Sequence, residues 1–211
     1  MSFGKFISLE GGEGVGKSTQ ARLLAERIEA AGHKVLLTRE PGGTKGAEAI
    51  RSLLLDPEGE GWGSEAEMLL FAAARADHVA RLIHPALSAG EWVICDRFID
   101  STRAYQGGGA GLSDAAILDL HRIGCAGLLP DVTLLIEVSS EESAKRLAAR
   151  DKGKSDRIGG RAVEYHARVN AAFSALADAE PGRFKRIDGM GSPDEIHRRI
   201  LDAIGSMVPT P

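Results

Sequence analysis

Residues Gly11 to Ser18 read GGEGVGKS, preceded by an apolar run from Phe3 to Glu10 and followed by a helical pattern that opens at Lys17. A strand, a glycine-rich loop and a helix at that spacing form a phosphate cradle: the glycines let backbone N–H groups curl round an anion, the helix adds the positive end of its dipole, and the lysine ammonium reaches the outer phosphates. The pattern predicts a bound nucleotide, held by Gly11, Gly12, Glu13, Gly14, Val15, Gly16, Lys17, Ser18 and Thr19, with Ser18 placed to hold magnesium. An accidental glycine turn would not come with both the strand and the helix. Glu13 is the unusual letter. A carboxylate among N–H groups arranged for phosphates repels the ligand unless it faces something else, so it is expected to point toward a second substrate.

The 211 residues, 43% of them hydrophobic, suffice for one sizeable core, and one domain over residues 1–211 is the default. A net charge of −4 provides no global basic field, which argues against a nucleic-acid partner and leaves phosphate binding to local clusters. Cys95 and Cys125 sit in apolar contexts and form neither a disulfide framework nor a metal motif. No run of about eighteen apolar residues and no leader pattern are present, so no membrane partner and a cytoplasmic location are expected.

Short β-rich runs alternate with longer helical patterns, which predicts an α/β fold with a parallel sheet covered by helices on both faces. Five strands are expected: Lys5 to Glu10, Lys34 to Arg39, Trp92 to Asp96, Val132 to Val138 and Phe184 to Asp188. Ligands of open parallel sheets bind beyond the carboxyl ends of the strands, which puts Glu10, Arg39, Asp96 and Asp188 where chemistry is expected. Ser192, Pro193 and Glu195 read as a capped helix start, and Ser139 with Glu142 repeats the capping box after the fourth strand.

Five further stretches carry chemistry. REPGGT, Arg39 to Thr44, breaks a strand end into a proline-glycine turn, which alone is as consistent with an ordinary turn as with a site. VICDRF, Val93 to Phe98, delivers Asp96, suited to the magnesium shell, beside Arg97, suited to a phosphate or to Glu13, because a planar guanidinium can bridge anions that otherwise repel. STRAYQGGGAG, Ser101 to Gly111, brings Ser101, Thr102, Tyr105 and Gln106 ahead of a glycine run; such groups can read a base edge, although polar residues before glycines more often end a helix. EMLLFAAARADHV puts Phe71 and Arg75 one turn apart on a helix face, able to stack on and hydrogen-bond a base, although burial preferences favour a core role for a lone phenylalanine. Last, RDKGKSDRIGGR, Arg150 to Arg161, sets five basic residues against two acids among three glycines, a composition suited to a flap that closes cations over a migrating phosphoryl group and excludes water.

In their order along the chain, LEGGEGVGKST, TREPGGT, RSLLL, LLFAAARADHV, VICDRF, STRAYQGGG, LPDVTLLIEV and the basic flap resemble thymidylate kinases, nucleoside monophosphate kinases that make dTDP from dTMP and ATP. The resemblance implies a P-loop NTPase-type three-layer fold with a five-stranded parallel sheet and a basic LID loop at about 150–161. It also implies ATP as donor, magnesium, a homodimer, and a role in dTTP supply for DNA synthesis. On this resemblance Phe71 stacks on thymine, Arg75 with Gln106 or Thr102 hydrogen-bonds the base, Arg39 and Arg97 hold the dTMP phosphate, Glu13 lies near the sugar 3′-hydroxyl and Arg97, and Tyr105 packs on the sugar carbon that lacks a hydroxyl. The loop has Gly14 and Val15 where some members carry an arginine. That resembles the bacterial type, in which the flap supplies the catalytic charge, and it points to Arg150, Arg157 and Lys154 beside Lys17 and Arg97. Phe98 and Asn170 depart from residues familiar at those positions. Two rivals are weaker: adenylate kinases usually have glycine where Ser18 stands and lack REPGGT, and a regulatory GTPase would need an NKxD motif, whereas the one asparagine, Asn170, is followed by AAF.

Overall fold

The structure is a computed structural model and describes residues 3–151 and 157–208. Five short strands, β1 (Phe6–Glu10), β2 (Val35–Arg39), β3 (Trp92–Asp96), β4 (Val132–Glu137) and β5 (Phe184–Asp188), form one parallel sheet in the order β2-β3-β1-β4-β5. The expected strands are all present, three of them a residue shorter than their apolar runs. Strand β1 lies at the centre, between β3 and β4, so the chain leaves it toward opposite edges, and the crevice at such a switch point opens at the carboxyl ends.

Side-chain alternation sorts the core into two layers. Ile7, Leu9, Ile94, Leu134 and Ile136 face helices α1 (Lys17–Ala30) and α9 (Pro193–Ile204), where Leu24, Ile28, Ile196 and Ile200 complete the packing. Phe6, Val93 and Cys95 face the other way, toward α3 (Ser64–His78) and α6 (Asp114–Cys125), and Leu135 faces α8 (Val163–Ala179). Phe98 belongs to that second layer, with its ring edge-on to Phe6 at 4.8 Å, which accounts for an apolar ring at this position. Cys95 and Cys125 are buried free thiols, as their contexts predict.

Helix α2 (Lys45–Leu55) follows the REPGGT turn, capped by the Thr44 hydroxyl. Helix α3 runs on through a π-helical turn, Val79–Ile83, into α4 (His84–Ser88), and α7 (Ser140–Asp151) follows β4. After β3 the short α5 (Ile99–Thr102) widens into a seven-residue π-helix, Arg103–Gly109. Sequence reasoning expects the glycines to end that helix; instead they carry it under α8. A Cβ at Gly108 would stand 2.2 Å from the Ala172 Cβ, and one at Gly109 2.6 Å from the Tyr165 ring, so the run is a close-packing surface. A buried ionic cluster pins α5 to the sheet: Arg183 gives both Nη atoms to Asp100 at 2.6 and 2.9 Å, Arg103 reaches Asp100 at 3.2 Å, and Thr133 of β4 links Asp100 to Ser8 of β1.

The Ser192 capping box of α9 is present in both directions. At Ser139 one direction forms, from the Glu142 amide to the Ser139 hydroxyl, while the Glu142 carboxylate pairs with Arg146 at 2.7 Å. The flap's first residues, Arg150 and Asp151, are the last turn of α7, so the basic loop begins later than its composition indicates. Lys154 lies outside the described residues, as does the side chain of Arg150. Among the described residues no helix is long and apolar enough to cross a membrane.

Candidate active site

Strand β1 passes directly into the glycine loop, and α1 opens at Lys17 behind Gly16, in agreement with the spacing of GGEGVGKS. Gly11 has φ of 136°, and a Cβ there would stand 2.4 Å from the Ile136 carbonyl oxygen, so only glycine lets the loop leave between β1 and β4. Val15 turns its side chain into the core and leaves its backbone to the loop. Lys17 is buried, and its Nζ donates to the carbonyls of Gly12 at 2.7 Å and Gly11 at 3.2 Å. Burial, and then the neighbouring Arg97, push its pKa down to about 8. Lys17 thus remains mostly an ammonium at neutral pH, and an arriving phosphate would favour that charged form further.

A cavity of about 470 Å3 opens from this loop across the carboxyl ends of β1, β2 and β3. Its walls include Glu13, Gly14, Gly16, Lys17, Ser18 and Thr19 on the loop side, and Arg39, Phe71, Arg75, Asp96, Arg97, Ser101, Thr102, Tyr105 and Gln106 across from them. The sequence motifs thus converge on one cleft. Gly11, Gly12 and Val15 belong to the loop without lining the cavity, and Arg157 does not line it either. Arg157 donates instead to the backbone carbonyls of Gly59 at 2.7 Å and Glu60 at 2.9 Å, which ties the flap to the segment after α2.

Glu13 does face away from the phosphate cradle. Its Oε1 accepts from Arg97 Nη2 at 2.6 Å and from the Tyr105 hydroxyl at 3.2 Å. Arg97 also donates to the Gly11 carbonyl and to Ser101 Oγ, both at 3.1 Å, and its guanidinium lies 5.0 Å over the Tyr105 ring. Burial disfavours charge on Arg97, but Tyr105, Glu13, Asp96 and Glu10 outweigh it and hold the guanidinium above its ordinary value. Burial raises the Tyr105 hydroxyl well above its usual range, so it remains a donor at neutral pH. The backbone at Arg97 has φ of 69°, a left-handed conformation that a branching side chain adopts at a cost, and such strain persists where the surroundings over-determine it.

Glu10 provides that determination. Buried at the end of β1, it accepts from the Phe98 amide at 2.7 Å, the Ser101 amide at 3.3 Å and the Ser101 hydroxyl at 2.6 Å, which clamps the turn on both sides of Arg97. Burial and then the nearby Asp100 push its carboxyl up to about 7. On the opposite wall Glu40 holds Arg75 through Nε at 2.7 Å and His78 through Nδ1 at 3.1 Å, while Thr102 accepts from Arg75 Nη2 at 2.6 Å. Arg39 is half exposed at the rim and pairs with Glu48 at 2.9 Å.

Sequence reasoning left several cleft residues out: Arg51, Leu55 and Ile158 line the cavity, and Arg146 stands at the loop end, its Nη1 3.5 Å from the Val15 carbonyl oxygen. RSLLL and REPGGT carried Arg51 and Glu40 within segments already singled out. RDKGKSDRIGGR likewise carried Ile158, whereas Arg146 had no such signal. The Ser18 hydroxyl lies 2.5 Å from Asp96 Oδ2 on the cleft wall, a hydroxyl and one carboxylate of the kind that magnesium uses when phosphates and waters complete its shell.

Two walls meet in one cleft here, a glycine loop with a buried lysine on one side and acid-paired arginines with aromatic rings on the other, joined at the Arg97–Glu13 contact. That arrangement defines a phosphate-binding-loop nucleotide kinase. A family model described as thymidylate kinase matches residues 9–200. The chain is 53% identical over 206 residues to the thymidylate kinase of Rhizorhabdus wittichii, covering 98% of this chain and 99% of that protein. It is 50% identical to the thymidylate kinase of Gluconobacter oxydans, with coverage of 95% and 94%. The crystal structure of thymidylate kinase from Ehrlichia chaffeensis superposes with a TM-score of 0.79 at 33% identity, covering 96% and 99% of the two chains. The chain belongs to the thymidylate kinase family, and the reaction it carries out is phosphorylation of dTMP to dTDP.

Proposed function

We propose that the cleft binds ATP at Gly11 to Thr19 and dTMP between Arg39, Phe71, Arg75, Arg97, Ser101, Thr102, Tyr105 and Gln106, with phosphoryl transfer at their junction. The observation that carries this reading is the Arg97–Glu13 contact at 2.6 Å, which ties the donor loop to the acceptor wall through one guanidinium. Arg97 lines the cleft, and a phosphate there would take the place of the Gly11 carbonyl and Ser101 hydroxyl on its Nη1. Phe71 supplies a flat face for a base, and Arg75 supplies its fixed donors to the base edge.

The attacking group is a phosphate oxygen of dTMP, whose second pKa of about 6 leaves it largely ionised at neutral pH. It bonds to the terminal phosphorus of ATP as the bridging P–O bond to ADP breaks. No general base is needed, so Asp96 is a magnesium and structural ligand rather than a proton acceptor. The protein's task is to align two anions and offset their repulsion, which is positioning and electrostatics. Ser18 and Asp96 would hold magnesium, which neutralises phosphate charge when bound. Lys17 and Arg97 act on the transferring group, with Arg150 and Arg157 of the flap as the further cations. For Arg157 this role requires release from Gly59 and Glu60.

Three wider assignments complete the reading. The chain works as one domain in the cytoplasm, with no nucleic-acid or membrane partner. It works as a homodimer, supported by the exposed apolar residues Leu69 and Ile123 on the packed helices α3 and α6. Lys17→Ala and Arg97→Ala are each expected to lower turnover of dTMP with ATP by about 100-fold or more while the melting temperature stays close to that of the parent. Near-normal turnover by either folded variant overturns its assignment.

A further inference from the structure

Glu67 is an acid in the first turn of α3, at one-turn and two-turn distances from Phe71 and Arg75, and it is buried. Its two oxygens are both engaged. Oε1 accepts from Gln106 Nε2 at 2.9 Å, and Oε2 accepts from Arg161 Nη2. Arg161 closes the far end of the flap and is itself held: its Nη1 donates to the Tyr165 hydroxyl at 2.7 Å, its guanidinium lies 4.7 Å over the Tyr165 ring, and that hydroxyl donates to the Tyr105 carbonyl at 2.9 Å. None of these five contacts is required to build α3, yet together they bury a charged pair behind Gln106, which lines the cleft.

We propose that Glu67 is a specificity-determining positioning residue: it fixes which end of the Gln106 amide faces the base, and so makes the pocket read thymine and reject cytosine. The proposal rests on the assignment of dTMP to this pocket. A carboxylate paired with an arginine offers lone pairs alone, so the Gln106 amide must turn its NH2 group to Glu67, and its Oε1 is left as an acceptor toward the cavity that Gln106 lines. The reverse orientation would set a carbonyl oxygen against a buried carboxylate. Across the pocket Arg75 is also clamped, by Glu40 and Thr102, and presents donors alone. The walls therefore offer a donor and then an acceptor in fixed order. Thymine presents O4, an acceptor, and N3–H, a donor, which is the complement. Cytosine presents an amino donor and an N3 acceptor, which is the reverse. Uracil matches thymine on this edge, so Glu67 does not separate dTMP from dUMP.

Glu67→Gln tests this with almost no change in shape. Arg161 takes the new side chain's carbonyl, its NH2 then faces Gln106, and the Gln106 amide is driven to turn its own NH2 toward the base. The ratio of kcat/KM for dTMP to kcat/KM for dCMP is expected to fall at least tenfold, with the KM for ATP unchanged. Glu67→Asp, which keeps an acceptor-only group, is expected to retain more of the ratio than Glu67→Gln. Because Glu67 acts through Gln106, Glu67→Gln adds nothing to the ratio in a Gln106→Leu background, as a double-mutant cycle measures. An unchanged ratio in folded Glu67→Gln, or independent additive effects in the cycle, overturns the proposal. Should Glu67→Gln fail to fold, 15N-glutamine-labelled wild-type protein saturated with dTMP decides: the Gln106 NH2 protons should show NOEs to Glu67, and strong NOEs to the base with none to Glu67 overturn it. A wild-type enzyme that prefers dCMP removes the dTMP assignment itself, whereas normal dTMP preference with an insensitive ratio removes the role of Glu67 alone.

Discussion

At the scale of single residues, Arg97 and Glu10 show how a site is assembled from groups that are costly in isolation. Arg97 adopts a left-handed backbone and a buried charge, and both are held by Glu10, Glu13, Ser101 and Tyr105. Glu10 is raised from 4.5 to about 7 by burial and by Asp100, so the folded protein binds this proton more tightly than the unfolded chain. Its contribution to stability is fully present below about pH 4.5 and is lost as pH rises through about 7. The difference in melting temperature between wild type and Glu10→Gln is therefore expected to shift against wild type from pH 5 to pH 8, in ligand-free protein followed by circular dichroism. A difference independent of pH would show that Glu10 does not titrate in this window. Glu13 was legible as a residue turned out of the phosphate cradle, because a carboxylate conflicts with that cradle, and it is found on Arg97 and Tyr105. Glu67 was not: an acid in the first turn of a helix reads as a favourable dipole partner, and its distinguishing partner, Arg161, lies 94 residues away in the chain.

At the scale of elements, periodicity exposed most of what matters. The spacing of Phe71 and Arg75 announced the cleft face of α3, and the apolar runs ending in Glu10 and Asp96 announced β1 and β3. The π-helix Arg103–Gly109 was hidden, because glycines signal helix ends locally and the reason they do not end this one is α8 lying against them. The placement of that segment depends on Asp100, fully buried between Arg103 and Arg183. Asp100→Ala removes the fully buried acid of this group and leaves Arg103 and Arg183 to the more exposed Glu180 and Asp114, and removal of one member of a buried ionic group costs about 3–5 kcal/mol. Urea unfolding should show a loss of that order, together with weaker dTMP binding because Ser101, Thr102, Tyr105 and Gln106 ride on the same segment. A loss under about 1 kcal/mol, the level of an exposed pair, would mean that the cluster does not pin the helix.

At the scale of the whole molecule, the sheet order puts β1 between β3 and β4 and so brings the glycine loop against the carboxyl end of β3, where Asp96 and Arg97 meet it. The glycine loop and the cleft wall across from it thus sit at the carboxyl end of one sheet. The homodimer assignment belongs to this scale as well. Sedimentation equilibrium is expected to give a dimer for wild type, and Ile123→Asp, on an exposed turn of α6, should yield folded monomers because an interface core does not accommodate an unpaired charge. A wild-type monomer, or an undisturbed dimer in that variant, overturns the α3–α6 surface.

Local chemistry was sufficient for the sequence to determine the nucleotide loop, the five strands, the α/β class and the identity of most cleft residues. Each of these is written in short-range terms, as glycine spacing, apolar alternation or one-turn separation, which survive without knowledge of the partners. The tertiary structure alone decided the strand order, the path of the glycine run beneath α8, the docking of Arg157 on Gly59 and Glu60, and the pairing of Glu67 with Gln106 and Arg161. These depend on contacts between residues tens of positions apart, and the free energy of a buried polar group is set by the partner that meets it rather than by its neighbours in the chain.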